Sequence, residues 1–225
     1  PEDSAPSQLP MNGYDEAEAA LAASPEMVSI LSADPSAEID GLIADAGGAS
    51  LGRMAADLLR QRLERVAADA RLLPEAEFAP AALAAKGDPT VLSQQFSVPL
   101  PVLLRRLANL PPHPDLPQMG LIECDAAGAI LTLKALPGFG LNRRSPSCPL
   151  WPIFAAIQSP MTPIVADVVL PDPAETRFRC FSVSATRRQA VFGAPILMQA
   201  TMLVVADPAQ SDTPAIPVGS TCRIC

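Results

Sequence analysis

Three cysteines of this 225-residue chain have a placement that suits metal binding. Cys222 and Cys225 form the terminal CRIC, a CxxC spacing that lets two thiolates reach one metal. Cys148 is followed by Pro149, as ligand cysteines of iron–sulfur sites can be. A single CxxC is equally compatible with two incidental thiols in a tail. The spacing alone therefore leaves both interpretations open.

The two remaining cysteines have a simpler interpretation. Cys124 and Cys180 lie inside strand-like apolar runs, where a cysteine usually serves as a small core residue. Five cysteines are an odd number in a chain too long to need disulfide bonds for stability. We therefore expect a reducing compartment, in which cysteines act as ligands, reactive thiols or core residues.

Residues for most enzyme chemistry are missing from the sequence. His113 is the only histidine and lies among prolines in the linker, which excludes an HExxH zinc helix and disfavours a Ser-His-Asp triad. Neither of the nucleotide-binding patterns GxxxxGK[ST] and GxGxxG occurs. A cysteine nucleophile would need a nearby base, which a single linker histidine supplies poorly. We therefore expect a protein that is not an enzyme.

Charge and hydropathy limit the partners. The net charge is −8 and the isoelectric point is near 4.6, so the chain lacks the basic surface that grips a phosphate backbone. No run approaches the roughly 18 apolar residues of a membrane helix, and the first ten residues are acidic and rich in proline. Apolar residues make up 49% of the chain, enough for a core. These features predict a soluble cytoplasmic protein that contacts no membrane.

The first half of the chain is predicted to be helical. A leader over residues 1–14 precedes a helical region over 15–110, in which the clearest helix starts at Ser50 with an apolar stripe of 3.6-residue period and a solvated charged face. Asp88 before Pro89 marks another helix start, and a further helix follows over 101–110 with Arg105 and Arg106 at least partly outward. This pair resembles a DNA-reading helix-turn-helix, but two arginines on an acidic chain favour an ordinary helical hairpin.

The second half is predicted to form a sheet domain. A linker over 111–119 contains four prolines, and strand-like runs follow at 121–124, 129–136, 164–170, 177–184 and 196–205. The turn at 125–128 joins the first two runs as a hairpin, and one short helix around Trp151 lies between the second and third. Hairpin pairs with a single intervening helix predict an antiparallel sheet with flanking helices, so the fold class is α+β.

The sheet half resembles a known family. The stretch 120–157, with CPLW at Cys148 to Trp151, the strand pattern over 164–183 and the terminal GSTCRIC are similar to the C-terminal sensor domain of the short-chain fatty acyl-CoA regulators. These are bacterial transcription factors of acetate and propionate metabolism. The helical stretch 72–110 resembles the segment before that sensor, with Pro99 and Arg105 departing from the family pattern.

The resemblance implies a fold and two ligands. It implies a GAF-like domain over 120–225 that binds short-chain acyl-CoA, and a 4Fe-4S cluster held by Cys148, Cys222, Cys225 and a further cysteine downstream. We favour a protein that continues beyond Cys225; Cys124 or Cys180 as substitute, or no cluster at all, are the alternatives. The family also implies a helix-turn-helix DNA-binding domain outside this chain, and regulators of this kind are expected to be homo-oligomers.

An acyl-CoA needs cations for its phosphates and an apolar slot for pantetheine and acyl chain. We expect the aromatic rings of Trp151, Phe139 and Phe154 to line this slot. The candidate cations are Arg143, Arg144, Arg187 and Arg188. The second functional hypothesis is a protein-interaction domain in which Cys148, Cys222, Cys225 and one more ligand hold a structural zinc ion.

Overall fold

The computed structural model describes residues 13–23, 35–47, 51–139, 141, 143, 147–188, 191–206 and 214–219. The chain divides into two compact units, Pro1–Leu72 and Leu73–Cys225. Helices of the predicted region 15–110 thus occur in both units.

The described part of the first unit consists of three helices, α1 (Tyr14–Ala23), α2 (Ser36–Gly47) and α3 (Arg53–Leu72). Each helix turns apolar side chains such as Leu21, Ile39 and Leu59 toward a shared core. The long helix predicted from Ser50 begins at Arg53, and Ser50 itself lies outside the described residues. Two charged groups also enter the core, because Arg62 of α3 pairs with Glu18 of α1 at 2.5 Å and both side chains are buried.

The second unit begins with the helices α4 (Glu75–Ala84), α5 (Pro89–Gln95) and α6 (Leu100–Ala108). The predicted start of α5 is confirmed: Asp88 is the N-cap, Pro89 is the first helical residue, and the Asp88 carboxylate accepts a bond of 2.8 Å from the Thr90 amide. The capping aspartate and the proline after it, both visible in the sequence, therefore determine where α5 begins.

The orientation of Arg106 differs from the expectation. Its side chain is buried, with Nε donating to the Leu73 carbonyl oxygen at 2.9 Å and Nη2 lying 3.7 Å from the Glu75 carboxylate. The prediction of an outward Arg106 is wrong because the chain at the start of α4 covers this side of α6. Arg105 is partly exposed, as expected.

Six described strands form one sheet in the order β2-β1-β5-β4-β3-β6. Neighbouring strands are antiparallel except β3 and β6, which are parallel. The strands are β1 (Met119–Asp125), β2 (Ile130–Lys134), β3 (Ile164–Val169), β4 (Arg177–Thr186), β5 (Met198–Ala206) and β6 (Ile216–Pro217). The first five correspond to the predicted runs, whereas β6 was not predicted because two residues give no periodic signal.

The sheet has a core on each face. Side chains alternate along a strand, so Leu121, Phe181 and Leu203 pack with residues of α4 to α6. Their neighbours, such as Cys180 and Met202, pack on the opposite face with Trp151 and with helix α7 (Pro152–Gln158). The predicted α+β class, an antiparallel sheet flanked by helices, is confirmed.

Candidate functional site

The core on the α7 side of the sheet encloses the only tryptophan of the chain. Trp151 is 0% exposed and stands directly before α7, whose first residue is Pro152. Its φ of −60° and ψ of 134° are the extended values that a residue before proline favours. The indole ring lies 4.9 Å from the ring of Phe139, which in turn lies 5.4 Å from that of Phe178. Trp151 therefore belongs to a packed aromatic cluster.

Trp151 also binds a segment 68 residues downstream. Its Nε1 donates to the Gly219 carbonyl oxygen at 3.1 Å. Just before this contact, the amide of Val218 donates to the Val169 carbonyl oxygen at 3.0 Å and continues the pairing of β6 with β3. The Val218 side chain is buried in the same core as Trp151. The last described residues are thus attached beside the start of α7.

Cys148 lies on the turn that leads into this tryptophan. The Trp151 amide donates to the Cys148 carbonyl oxygen at 3.3 Å, and the cysteine is 1% exposed. Cys222 and Cys225 lie outside the described residues, and Cys222 follows Gly219 by three positions. The described residue that precedes them, Gly219, accepts the hydrogen bond from the Trp151 indole.

The two other described cysteines, Cys124 and Cys180, do not form a metal site with Cys148. No three His, Cys, Asp or Glu side chains come together as a metal site within the described part of the chain, which includes Cys124, Cys148 and Cys180. Cys124 and Cys180 are fully buried, which confirms their predicted place in the core. Burial, with smaller contributions from Asp125 and Glu123, raises the pKa of the Cys124 thiol to about 12. Burial likewise raises the pKa of Cys180, so both thiols stay neutral near pH 7.

Arg143 is bonded to the edge of the sheet. Its Nε and Nη2 donate to the carbonyl oxygens of Ile130 and Leu131, each at 3.1 Å. The pairing of β1 with β2 shifts by one residue here, and this bulge lets two successive carbonyls face one guanidinium. The side chain thereby covers part of the edge strand β2. Arg144, the neighbouring candidate, lies outside the described residues.

The two other aromatic candidates keep some exposure. Phe154 of α7 and Phe139 are both half-buried, whereas Trp151 is enclosed. The ring of Phe154 faces the predicted hairpin turn: a Cβ atom on Gly128 would lie 3.3 Å from its Cε1. Gly128 has a φ of +82°, which closes this turn. The turn between β1 and β2 therefore contacts α7.

Arg187 and Arg188 lie at the start of the connection from β4 to β5 and are both exposed. The Arg187 amide donates to the Leu197 carbonyl oxygen at 2.7 Å, so the two ends of the connection are held together. The connection also exposes several large apolar side chains, among them Phe192 with a relative exposure of 106%. The exposed apolar residues are Val191, Phe192, Ile196 and Leu197. Sequence analysis missed this group because a short apolar run is equally typical of a core strand.

The second unit corresponds to a known sequence family. Residues 113–225 match the family model of the short-chain fatty acyl coenzyme A regulator, C-terminal part. The chain belongs to this family. The match includes all six strands, α7 and the positions of Cys148, Cys222 and Cys225. It confirms the resemblance that CPLW and CRIC indicated. Because the family consists of regulators, the expectation that the chain is not an enzyme is also confirmed.

A solved structure of a Mycobacterium tuberculosis transcriptional regulator is similar in fold, with a TM-score of 0.67 and 23% identity. The similarity covers 88% of this chain and 64% of that chain, so this chain spans less than two thirds of the other protein. No curated protein sequence gives a significant match. No helix in the described residues is long and apolar enough to cross a membrane.

A buried polar network around Glu123, between α6 and the sheet, is a further feature that sequence analysis missed. Glu123 of β1 is 2% exposed, and its carboxylate accepts bonds of 2.7 Å from the Thr132 hydroxyl and from the Gln199 amide. Arg105 Nη1 lies 3.4 Å from the same carboxylate. The network joins α6 to the strands β1, β2 and β5 through side chains. A glutamate between Ile122 and Cys124 was a visible anomaly, but its partners are distant in sequence.

Proposed function

We propose that this chain is the effector-binding part of a transcriptional regulator that binds a short-chain acyl-CoA. In this proposal the effector controls DNA binding by a helix-turn-helix domain outside this chain. One observation carries the proposal: in a domain of the acyl-CoA regulator family, the same connection contains two exposed arginines and several exposed apolar side chains. Cationic and apolar groups side by side are what an acyl-CoA requires.

The chemistry of the connection fits both ends of the ligand. Arg187 and Arg188 are suited to the phosphates, because guanidinium groups form charge-assisted bonds with phosphate oxygens. Phe192 and its apolar neighbours are suited to the pantetheine and acyl portions. Arg143 already donates to two carbonyl oxygens of β2, so we give it a secondary role. Arg144 and Phe154 remain candidates, and Trp151 contributes through the packed core.

Local charge supports an anionic ligand. The acidic excess of the chain lies in residues 1–72, whereas residues 73–225 carry equal numbers of acidic and basic side chains. No acidic residue occurs between Glu175 and Asp207, a stretch with four arginines. Arg179 of this stretch pairs with Asp167 of β3, whereas Arg177, Arg187 and Arg188 are exposed and give the stretch a local positive charge that favours an anion.

The second element of the proposal is a 4Fe-4S cluster with Cys148, Cys222 and Cys225 among its ligands. Two observations support this element: thiolates are the usual ligands of such clusters, and the chain at Gly219 is hydrogen-bonded to Trp151, three residues after Cys148. When bound, the cluster would supply a redox-sensitive connection between the tail and the sensor domain. Its assembly or loss would then order or release the C-terminal tail.

The acyl-CoA proposal is tested by calorimetric titration with acetyl-CoA, propionyl-CoA and free CoA. We expect the Arg187→Ala/Arg188→Ala variant to bind about thirtyfold more weakly, from roughly 1 kcal/mol per exposed charge-assisted contact. The matched control is Arg53→Ala/Arg71→Ala, which removes the same charge from exposed sites on α3. Equal affinities of the two double variants would refute a role of the β4–β5 connection.

The apolar contribution is tested by Phe192→Ser. Because the ring is fully exposed, the substitution should leave the stability of the fold unchanged. We expect it to reduce the preference for propionyl-CoA over free CoA. An unchanged preference would assign the acyl group to another part of the domain, and the absence of binding by the wild-type protein at millimolar ligand would overturn the function itself.

The cluster is tested by metal analysis after anaerobic purification of the full-length protein. We expect iron and charge-transfer absorption in the wild-type protein, loss of both in Cys148→Ser, and retention of both in the control Cys180→Ser. Cys180 is a buried cysteine of the same core and is not among the three ligands of this proposal, so loss of iron in Cys180→Ser would instead favour Cys180 as the substitute ligand. Colourless protein with bound zinc would favour the structural zinc site instead. Wild-type iron content in Cys148→Ser would overturn the ligand assignment.

A further inference from the structure

One side of α3 exposes apolar side chains at regular intervals. Met54, Leu58 and Leu72 are 43%, 37% and 58% exposed, whereas the opposite side of the helix, with Leu59 and Leu63, is buried in the core of the first unit. The residues along the open side recur at steps of four and three, and they are Met54, Leu58, Gln61, Arg65, Ala68 and Leu72. These are the steps between positions a and d of a heptad, which bring all six residues onto one line along the helix. We call this line the outer seam of α3.

The outer seam is long enough for a helix–helix contact. α3 has 20 residues and a length of about 30 Å, and the seam extends from its second residue, Met54, to its last, Leu72. Large apolar residues lie toward both ends of the line, and the polar Gln61 and Arg65 lie at its centre. Apolar a and d positions with a few polar ones among them are typical of helices that pair, because the polar positions specify the orientation of the pair.

The order of residues along the outer seam suits two antiparallel copies of α3. When the second copy is turned end for end, Leu58 lies opposite Ala68 of the second copy, so a large side chain meets a small one. Met54 likewise lies opposite Leu72 of the second copy. Each of these contacts occurs twice, because the two-fold axis passes through the centre of the seam.

The centre of the outer seam favours the same orientation. In an antiparallel pair Arg65 lies opposite Gln61 of the second copy, whose amide oxygen can accept from a guanidinium. In a parallel pair Arg65 would lie opposite Arg65 of the second copy, and two like charges would meet. The central residues therefore disfavour the parallel arrangement.

Charges beside the outer seam are also complementary between antiparallel copies. Asp57 and Arg71 are exposed and occupy g positions, which flank the seam on the same side. The g positions of two antiparallel helices face each other, so Asp57 lies near Arg71 of the second copy, and the axis repeats this contact. Glu64 occupies the g position between them and faces Glu64 of the second copy, which is the one repulsive contact of the arrangement.

We propose that the outer seam of α3 is a homodimer interface, in which two copies of this chain pack their α3 helices antiparallel about a two-fold axis. The interface involves neither the β4–β5 connection nor the cysteines, so it is independent of the proposed ligands.

The first test is sedimentation equilibrium of the chain and its variants without added ligand. We expect a dimer of the wild-type protein and a dissociation constant about thirtyfold higher in Leu58→Ser, because each dimer loses two buried leucines. The matched control is Val91→Ser, which removes an apolar side chain of similar exposure, 41%, from α5. This control should dimerise like the wild-type protein.

The second test exchanges the flanking charges and needs no change in the seam itself. Asp57→Arg and Arg71→Asp should each weaken the dimer about tenfold, because two attractive contacts become repulsive. The double variant Asp57→Arg/Arg71→Asp restores both contacts in the antiparallel arrangement, so its affinity should return to within about threefold of the wild-type value. Glu64→Gln should strengthen the dimer, because it removes the repulsion at the axis.

Three outcomes would overturn the proposal. The first is a wild-type protein that stays monomeric at concentrations up to about 0.1 mM. The second is a dimer that Leu58→Ser and Val91→Ser affect equally, which would place the interface elsewhere. The third is a double charge variant that dimerises no better than Asp57→Arg, which would contradict the antiparallel contact of Asp57 with Arg71.

Discussion

From the buried network around Glu123 we predict that the charge of Arg105 on α6 stabilises the second unit. The perturbation is Arg105→Met, which keeps most of the apolar stem of the side chain and removes its charge. The Glu123 carboxylate, 2% exposed, then keeps the bonds from Thr132 and Gln199, which are neutral donors. We expect the second unit to be destabilised because a buried charge loses a charged partner.

The geometry sets the size of the effect. Removal of one partner of a buried ion pair typically costs about 3–5 kcal/mol. Here the contact is long, at 3.4 Å, and the two bonds of 2.7 Å persist, so we expect about 2–3 kcal/mol. In Glu123→Gln the neutral amide can keep bonds to Thr132 and Gln199, and the double variant should recover at least about 1 kcal/mol relative to Arg105→Met.

The assay is urea unfolding followed by tryptophan fluorescence. Trp151 is the only tryptophan and is buried in the second unit, so its emission reports the unfolding of that unit. Free energies come from linear extrapolation for the wild-type protein, both single variants and the double variant. The reasoning is refuted if Arg105→Met changes the free energy of unfolding by less than about 0.5 kcal/mol, or if the effects of the two substitutions are additive.

Four further predictions concern the second unit. At pH 8, Cys124 and Cys180 should resist iodoacetamide in the native protein and react on unfolding, as mass spectrometry would detect; rapid native labelling would contradict their burial. The pKa values of both thiols are higher in the native protein than in the unfolded chain. The stability that the neutral buried thiols contribute is therefore complete below about pH 8.5 and declines as the pH rises toward 12. Urea unfolding midpoints at about pH 8 and pH 10 would measure this decline. Gly120→Ala should lower the free energy of unfolding by about 1–3 kcal/mol, since the added Cβ would lie 2.7 Å from the Lys134 carbonyl oxygen. An unchanged melting temperature would contradict this and show that β2 moves away at no cost. Asp88→Ala should cost about 1 kcal/mol through loss of the helix cap, with Asp88→Asn as the variant expected to retain most stability.

Local signals made several elements predictable. The Asp88-Pro89 pair fixes the start of α5, because it supplies a capping acceptor and a backbone without the unneeded N–H. Cys124 and Cys180 were predicted as core residues from the apolar runs around them, and they are buried. The hairpin turn ending at Gly128 was predictable for the same reason, since a turn sequence between two strand-like runs acts over a few residues.

Local signals could not predict interactions between residues that are distant in the sequence. The burial of Arg106 depends on the start of α4, and the environment of Glu123 combines partners from α6, β2 and β5. Arg143 stays a predicted phosphate contact, and its bonds to two carbonyls of β2 were not predictable, because a bulge in the pairing exposes these carbonyls. No local pattern encodes which strand edge an arginine will meet.

The sequence by itself determined the α+β class, the succession of helices and strands and the family, since periodicity, caps and the CPLW and CRIC motifs are properties of short segments. Only the tertiary structure decided that the Trp151 indole meets Gly219 and that β6 joins β3. The physical reason is that these contacts join residues far apart in the chain, and their energies are realised only when the whole sheet has formed.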